Sequence, residues 1–151
     1  MFTENELTFS TFIFYSLSDS WNTSPAEIYK VLNSTGILDG YIIEGYDVLH
    51  TLGKEYLVED ITEFVKDRGF HIKSKITEDA DKVQKIYKRE LENKIICSIA
   101  SAKNCELRKA MNIYYFSNVP DKIEKEMGDI KKLDVQELTK EAMKRKREFL
   151  R

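Results

Sequence analysis

Between Ser24 and Gly36 the sequence marks both ends of one helix, and no other feature constrains more tightly what the chain can fold into. Ser24 precedes Pro25, whose fixed φ and missing N–H suit the first helical position, and Glu27 completes a capping box three residues after Ser24. Ile28, Val31 and Leu32 recur at helical spacing, and Gly36 can take the left-handed conformation that ends the helix. Glycine and proline are otherwise scarce: 151 residues hold 6 Gly and 2 Pro, too few for a turn-rich β-sandwich. With 42% hydrophobic and 33% charged residues the chain can build a core, which excludes collagen-like, low-complexity and wholly disordered classes.

The same logic carries along the chain. Leu7, Phe9, Phe12, Ile13, Phe14 and Leu17 form a broad apolar band that predicts a buried helix over residues 4–19, followed by Trp21. Asp39 is read as the cap of a third helix with Ile42, Ile43, Tyr46 and Leu49 as its stripe, ending near a positive-φ Gly53. A fourth helix is expected from about residue 58, carrying Ile61, Phe64 and Val65 to a stop at Gly69. Residues 70–76 alternate with period two, as a strand or an extended linker does. Thr77 or Asp79 then opens a charged helix through Val83, Ile86 and Leu91. Residues 94–100 read equally as buried strand or helix, and residues 112–117 contain the strand-favouring Ile113-Tyr114-Tyr115-Phe116. Pro120 interrupts the chain, Asp121 caps a short helix to Met127 closed by Gly128, and Asp134 opens a last helix toward Leu150. The expectation is a mainly α protein. An N-terminal bundle of about four helices occupies residues 1–69, and a basic C-terminal helical module, with room for a few short strands, occupies residues 70–151.

Charge divides the chain more sharply than its net −2 suggests. Residues 1–65 hold eleven Asp/Glu and two Lys, or −9, while residues 66–151 hold 22 bases and 15 acids, or +7. Opposite halves of this kind dock on each other, pair two chains head to tail, or meet an acidic partner such as nucleic acid. The first ten residues contain Glu4 and Glu6 and no base, unlike a secretion signal, and the longest apolar run, residues 12–17, is far short of a membrane span. A soluble, cytoplasmic protein without a transmembrane segment is therefore expected, with a homo-oligomer compatible. Cys97 and Cys105, separated by about 12 Å of rise if they share one helix, read as free thiols of a reducing compartment.

The blocks Gly40-Tyr41-Ile42-Ile43, Tyr46-Asp47-Val48-Leu49-His50-Thr51, Gly53-Lys54-Glu55-Tyr56 and Val58-Glu59-Asp60-Ile61, with the Ser24-Pro25-Ala26-Glu27 turn ahead of them, resemble a bacterial family of unknown function. That family is catalogued as domain of unknown function 3791, and the likeness spans about residues 7–68. The resemblance implies a small helical module encoded beside proteins similar to ADP-ribosyltransferase toxins, hence a toxin–antitoxin-like or phage-defence partnership. It implies no catalytic residue.

His50 stands three residues after Asp47, a spacing at which a carboxylate can orient an imidazole for proton transfer, although bonding to a backbone carbonyl at a structured corner explains it as well. That corner, with Tyr41, Tyr46, Asp47, His50, Lys54, Glu55 and Tyr56, is the candidate protein-contact surface. Apolar anchors would bury there while carboxylates steer the approach. No zinc spacing, nucleophile elbow or phosphate-cradling glycine cluster is present, so no metal or cofactor is expected and an enzyme is the less favoured class. Residues 140–151 carry six bases and two acids, and Lys140, Lys144, Arg145, Lys146, Arg147 and Arg151 form the alternative, a nucleic-acid contact.

Overall fold

A computed structural model describes residues 2–69, 82–125 and 133–149, with side chains of 82–85 and 144–149 outside the description. The alternating stretch 70–76, the helix start at Thr77 or Asp79 and the stop at Gly128 lie outside the described residues. The chain is mainly α, and no strand occurs among the described residues. It divides into two compact units, one of Thr8–Ala80 and the other of Met1–Leu7 with Asp81–Arg151.

The first unit is built on α1 (Glu4–Trp21), α2 (Pro25–Thr35), a π-helical segment Leu38–Ile43, a one-turn α3 (Tyr46–Leu49) and α4 (Lys54–Asp67). Helix α1 buries small polar residues as well as apolar ones. It can do so because Thr11 and Ser16 hydroxyls donate back to the carbonyls of Thr8 and Phe12 at 3.1 and 2.8 Å. Asn22 ends the helix at φ 53°. Helix α2 forms as its end signals require: Ser24 accepts from the Glu27 N–H, Pro25 sits in the first turn, and Gly36 is left-handed at φ 79°. Ile13, Phe14 and Leu17 of α1, Ile28, Tyr29 and Leu32 of α2, and Leu57, Ile61 and Val65 of α4 are buried. Phe14 meets Tyr29 edge-on at 5.8 Å. Trp21 donates its indole N–H to Thr62 Oγ1 at 2.8 Å, which ties the end of α1 to α4.

The expected third helix is broken. Glu44 N–H reaches back five residues to the Asp39 carbonyl at 3.3 Å, a π turn, and Gly45 follows at φ −91° before α3 begins. Asp39 does not cap it; Ile37 holds the N-cap position without a side-chain bond. The periodic stripe survives the break because Leu38, Ile42 and Leu49 are all buried, so apolar spacing alone could not reveal the wider turn. Gly53 has φ −71°, an ordinary value, and serves as the extended N-cap residue of α4, which starts at Lys54 rather than near residue 58.

The second unit contains α5 (Lys82–Lys103), α6 (Leu107–Tyr115), α7 (Val119–Lys125) and α8 (Val135–Phe149), with α5 packed against α6, α7 and α8. Residues 94–100 lie within α5, where Ile95, Ile96 and Ile99 are buried at helical spacing. Residues 112–115 close α6 instead of forming a strand. Ala110, Met111, Ile113, Tyr114 and Tyr115 all find cover on a helix that starts after an extended Glu106, so packing overrides the β preference of the run. Glu92 is buried and accepts from the Tyr115 hydroxyl at 2.9 Å. Asn104, at φ 51°, ends α5 before Cys105, and both cysteines are free. Pro120 lies within the first turn of α7, where its missing N–H does no harm, and Asp134 caps α8 through the Gln136 N–H at 2.9 Å.

Candidate functional site

The π segment, α3 and the start of α4 form the corner expected from the sequence, and its side chains gather into two groups. In the first, Tyr41 lies against α4. Its hydroxyl donates to Asp60 Oδ2, and its ring meets Phe64 edge-on at 4.9 Å. Burial above all, then the hydrogen bond to Asp60 and that carboxylate's charge, with Tyr56 contributing, hold the Tyr41 phenol well above the ordinary tyrosine range. Tyr41 is thus a neutral hydrogen-bond donor that orders Asp60 and Phe64. Tyr56, Asp60 and Phe64 follow one another at four-residue spacing along a single side of α4.

The second group is a stack. The Tyr46 ring lies parallel to His50 at 4.5 Å, and the buried Phe9 meets its edge at 5.5 Å. His50 Nδ1 lies 2.7 Å from the Tyr46 carbonyl, and since a carbonyl only accepts, Nδ1 carries the proton and donates. The orienting group for His50 is therefore main chain, the arrangement of a turn-fixing residue. Thr51 closes the turn by donating to the Val48 carbonyl at 2.6 Å.

Four large apolar side chains of this stretch are exposed. Val48 is 66% exposed, Tyr56 57%, Leu52 38% and Phe64 36%. Asp47, Lys54, Glu55, Glu59 and Glu63 are exposed beside them. The structure thus brings Tyr56 within electrostatic reach of Tyr41, places Tyr46 and His50 in a separate stack, and leaves Asp47, Lys54 and Glu55 exposed. Phe64 and Asp60 join Tyr41 at this site although sequence reasoning did not assign them to it. Phe64 was expected in the core stripe with Ile61 and Val65. Its position four residues beyond Asp60 and eight beyond Tyr56 was the signal that it shares their side of the helix.

In the basic half, Lys140 is exposed on α8 and the helix continues through residues 144–147, while Arg151 lies outside the described residues. Lys122 donates to Glu141, which also accepts from Asn118 Nδ2 at 3.3 Å. No cluster of three or more His, Cys, Asp or Glu suited to a metal ion occurs among the described residues. No described helix is long and apolar enough to cross a membrane.

Residues 8–68 match the model of the family described as "Protein of unknown function (DUF3791)". That segment belongs to this family. The match contains the whole corner and stops just before the described residues of the first unit do. No curated protein and no solved structure matches the chain.

Proposed function

We propose that this chain is a cytoplasmic bacterial protein whose family module, residues 8–68, works as a protein–protein interaction module through the α3–α4 corner. One observation carries the reading: a small helical unit leaves Val48, Leu52, Tyr56 and Phe64 substantially exposed along residues 48–64, a stretch that also carries exposed carboxylates. Apolar side chains grouped in this way are the composition of a binding hot spot, where two ring residues buried together supply roughly 1–3 kcal/mol each. Tyr41 pins Asp60 and Phe64 from below, so the surface is ordered before a partner arrives and little conformational entropy is lost on binding. Asp47, Glu55, Glu59 and Glu63 supply steering toward a cationic partner and a dependence on salt. An antitoxin-like role, in which the module occludes a toxin's working surface, is the setting suggested by the family resemblance.

The test is an affinity capture of the tagged chain from its native lysate, with and without nuclease, at low and moderate salt. A stoichiometric protein that survives nuclease supports the module. Recovery of nucleic acid alone, lost on deleting residues 140–151, would replace this reading with binding through the basic α8.

A further inference from the structure

Helices α7 and α8 of the second unit flank a cleft of about 760 Å³, and no residue of the α3–α4 corner lines it. Its walls are tied together at one end. Glu141 of α8 accepts from Lys122 of α7 and, at 3.3 Å, from Nδ2 of Asn118 just ahead of that helix. From the tie, α7 runs on to Lys125 while α8 runs back to Glu137. Between them the apolar side chains of Ile123 and Leu138 line the space, at 1% and 8% exposure. The volume lies within the range of about 300–1,000 Å³ typical of small-molecule sites, and the mixture of apolar lining with a few charged groups is the usual one.

The charges decide what kind of molecule fits. Glu141 is already engaged by Lys122 and Asn118, so that pair serves the fold. Lys125 and Lys140 also line the cleft, are exposed, and make no ion pair among the described residues. Glu137 offsets one of the two, which leaves the cleft with an excess of positive charge above its apolar lining. From this arrangement we infer that the α7–α8 cleft binds an amphiphilic anion, a linear chain of about eight to twelve carbons ending in a carboxylate or phosphate. The chain lies on Ile123 and Leu138, where its removal from water drives binding. The head pairs with Lys125 and Lys140 through charge-assisted hydrogen bonds. Because the Lys122–Glu141 contact already joins the two helices, the site exists before the ligand arrives.

Calorimetric titration of the full chain with decanoate and with decyl phosphate, below their micellar concentrations and at about 50 mM salt, tests the inference. The expected result is one saturable site per chain. From octanoate to decanoate the affinity should rise by up to about fourfold per added methylene, the gain for full burial. Whichever of decanoate and decyl phosphate binds more tightly identifies the head. Decanol and decylammonium should bind at least about fivefold more weakly than either, because they offer no anion to the lysines. Lys125→Gln with Lys140→Gln should weaken both anions at least about fivefold without altering thermal melts, since both side chains are exposed. Lys66→Gln with Lys103→Gln, which removes two exposed charges outside the cleft, should stay within about twofold of wild type. No saturable binding of either anion, equal affinity for decanol, or a Lys125/Lys140 variant that binds as wild type does overturns the inference.

Discussion

Gly45→Ala is the substitution on which the description of the corner stands most exposed to refutation. Gly45 joins the π segment to α3, and a Cβ there would lie 2.7 Å from the Tyr41 carbonyl oxygen and 3.1 and 3.3 Å from Leu49 Cδ1 and Cγ. The nearest of these atoms cannot swing away, because it is main chain and accepts the Gly45 N–H at 2.9 Å. Leu49 is buried and has little room to retreat. Forcing a methyl into such a site costs about 1–3 kcal/mol. The smaller entropy of the unfolded alanine chain returns about 0.4–1 kcal/mol. The net is a destabilisation of about 1–2 kcal/mol, and with a urea slope of about 1 kcal/mol per molar the midpoint falls by about 1–2 M. Trp21 makes the assay specific: it is the chain's single tryptophan, lies in the same unit, and is buried against Thr62, so its fluorescence reports unfolding of this unit. Gly40→Ala is the control. It sits in the same π segment with nothing within 4 Å of an added Cβ, and should be neutral or slightly stabilising. A Gly45→Ala midpoint equal to or above that of Gly40→Ala would refute the close approach and with it the geometry assigned to the corner.

Two further substitutions probe groups whose ionisation the fold alters. Tyr41 is held above its unfolded value, so the stability it contributes is complete below about pH 10 and is lost as the pH rises from there toward its folded value. Tyr41→Phe should accordingly be less stable than wild type by about 1 kcal/mol near neutral pH, and the gap should narrow in thermal melts above about pH 10; a constant gap would contradict the Asp60 contact. Burial first, and then the negative charge of Glu4, push the Cys97 thiol up, with Glu4 Oε1 4.0 Å from its sulfur. In a Cys105→Ser background, Cys97 should react with a thiol reagent more slowly than the urea-unfolded chain at pH 8, and Glu4→Gln should quicken it; equal rates in both folded proteins would sink the assignment.

How far the sequence is legible depends on whether a feature leaves a residue-type signature. Helix α2 was readable to its last residue because Ser24, Pro25, Glu27 and Gly36 each have a distinct steric or hydrogen-bonding role at an end. The break at residues 38–45 was not readable, because a π turn adds one residue without disturbing which apolar positions face inward. Tyr114 and Tyr115 favour strands by themselves and were drawn into α6 by burial against the long α5, information that no local window contains. At the candidate site the sequence located the corner and its tyrosines. It missed Phe64 because a residue at the flank of an apolar stripe is equally compatible with core and surface, and only the placement of Tyr41 against α4 resolves which. Thr3 and Glu6 exchange hydrogen bonds in a capping box at the start of α1, at 2.9 and 3.2 Å, a signal present in the sequence and overlooked.

The most direct test of the central claim is the affinity of the captured protein partner for the wild-type chain and for Tyr56→Ala with Phe64→Ala, measured by calorimetry after melts show that both are folded. Loss of two ring anchors at a hot spot of about 2 kcal/mol or more should weaken binding at least about thirtyfold. An affinity that stays within about twofold of wild type, a change of under about 0.5 kcal/mol, would contradict the assignment of the corner as the contact surface.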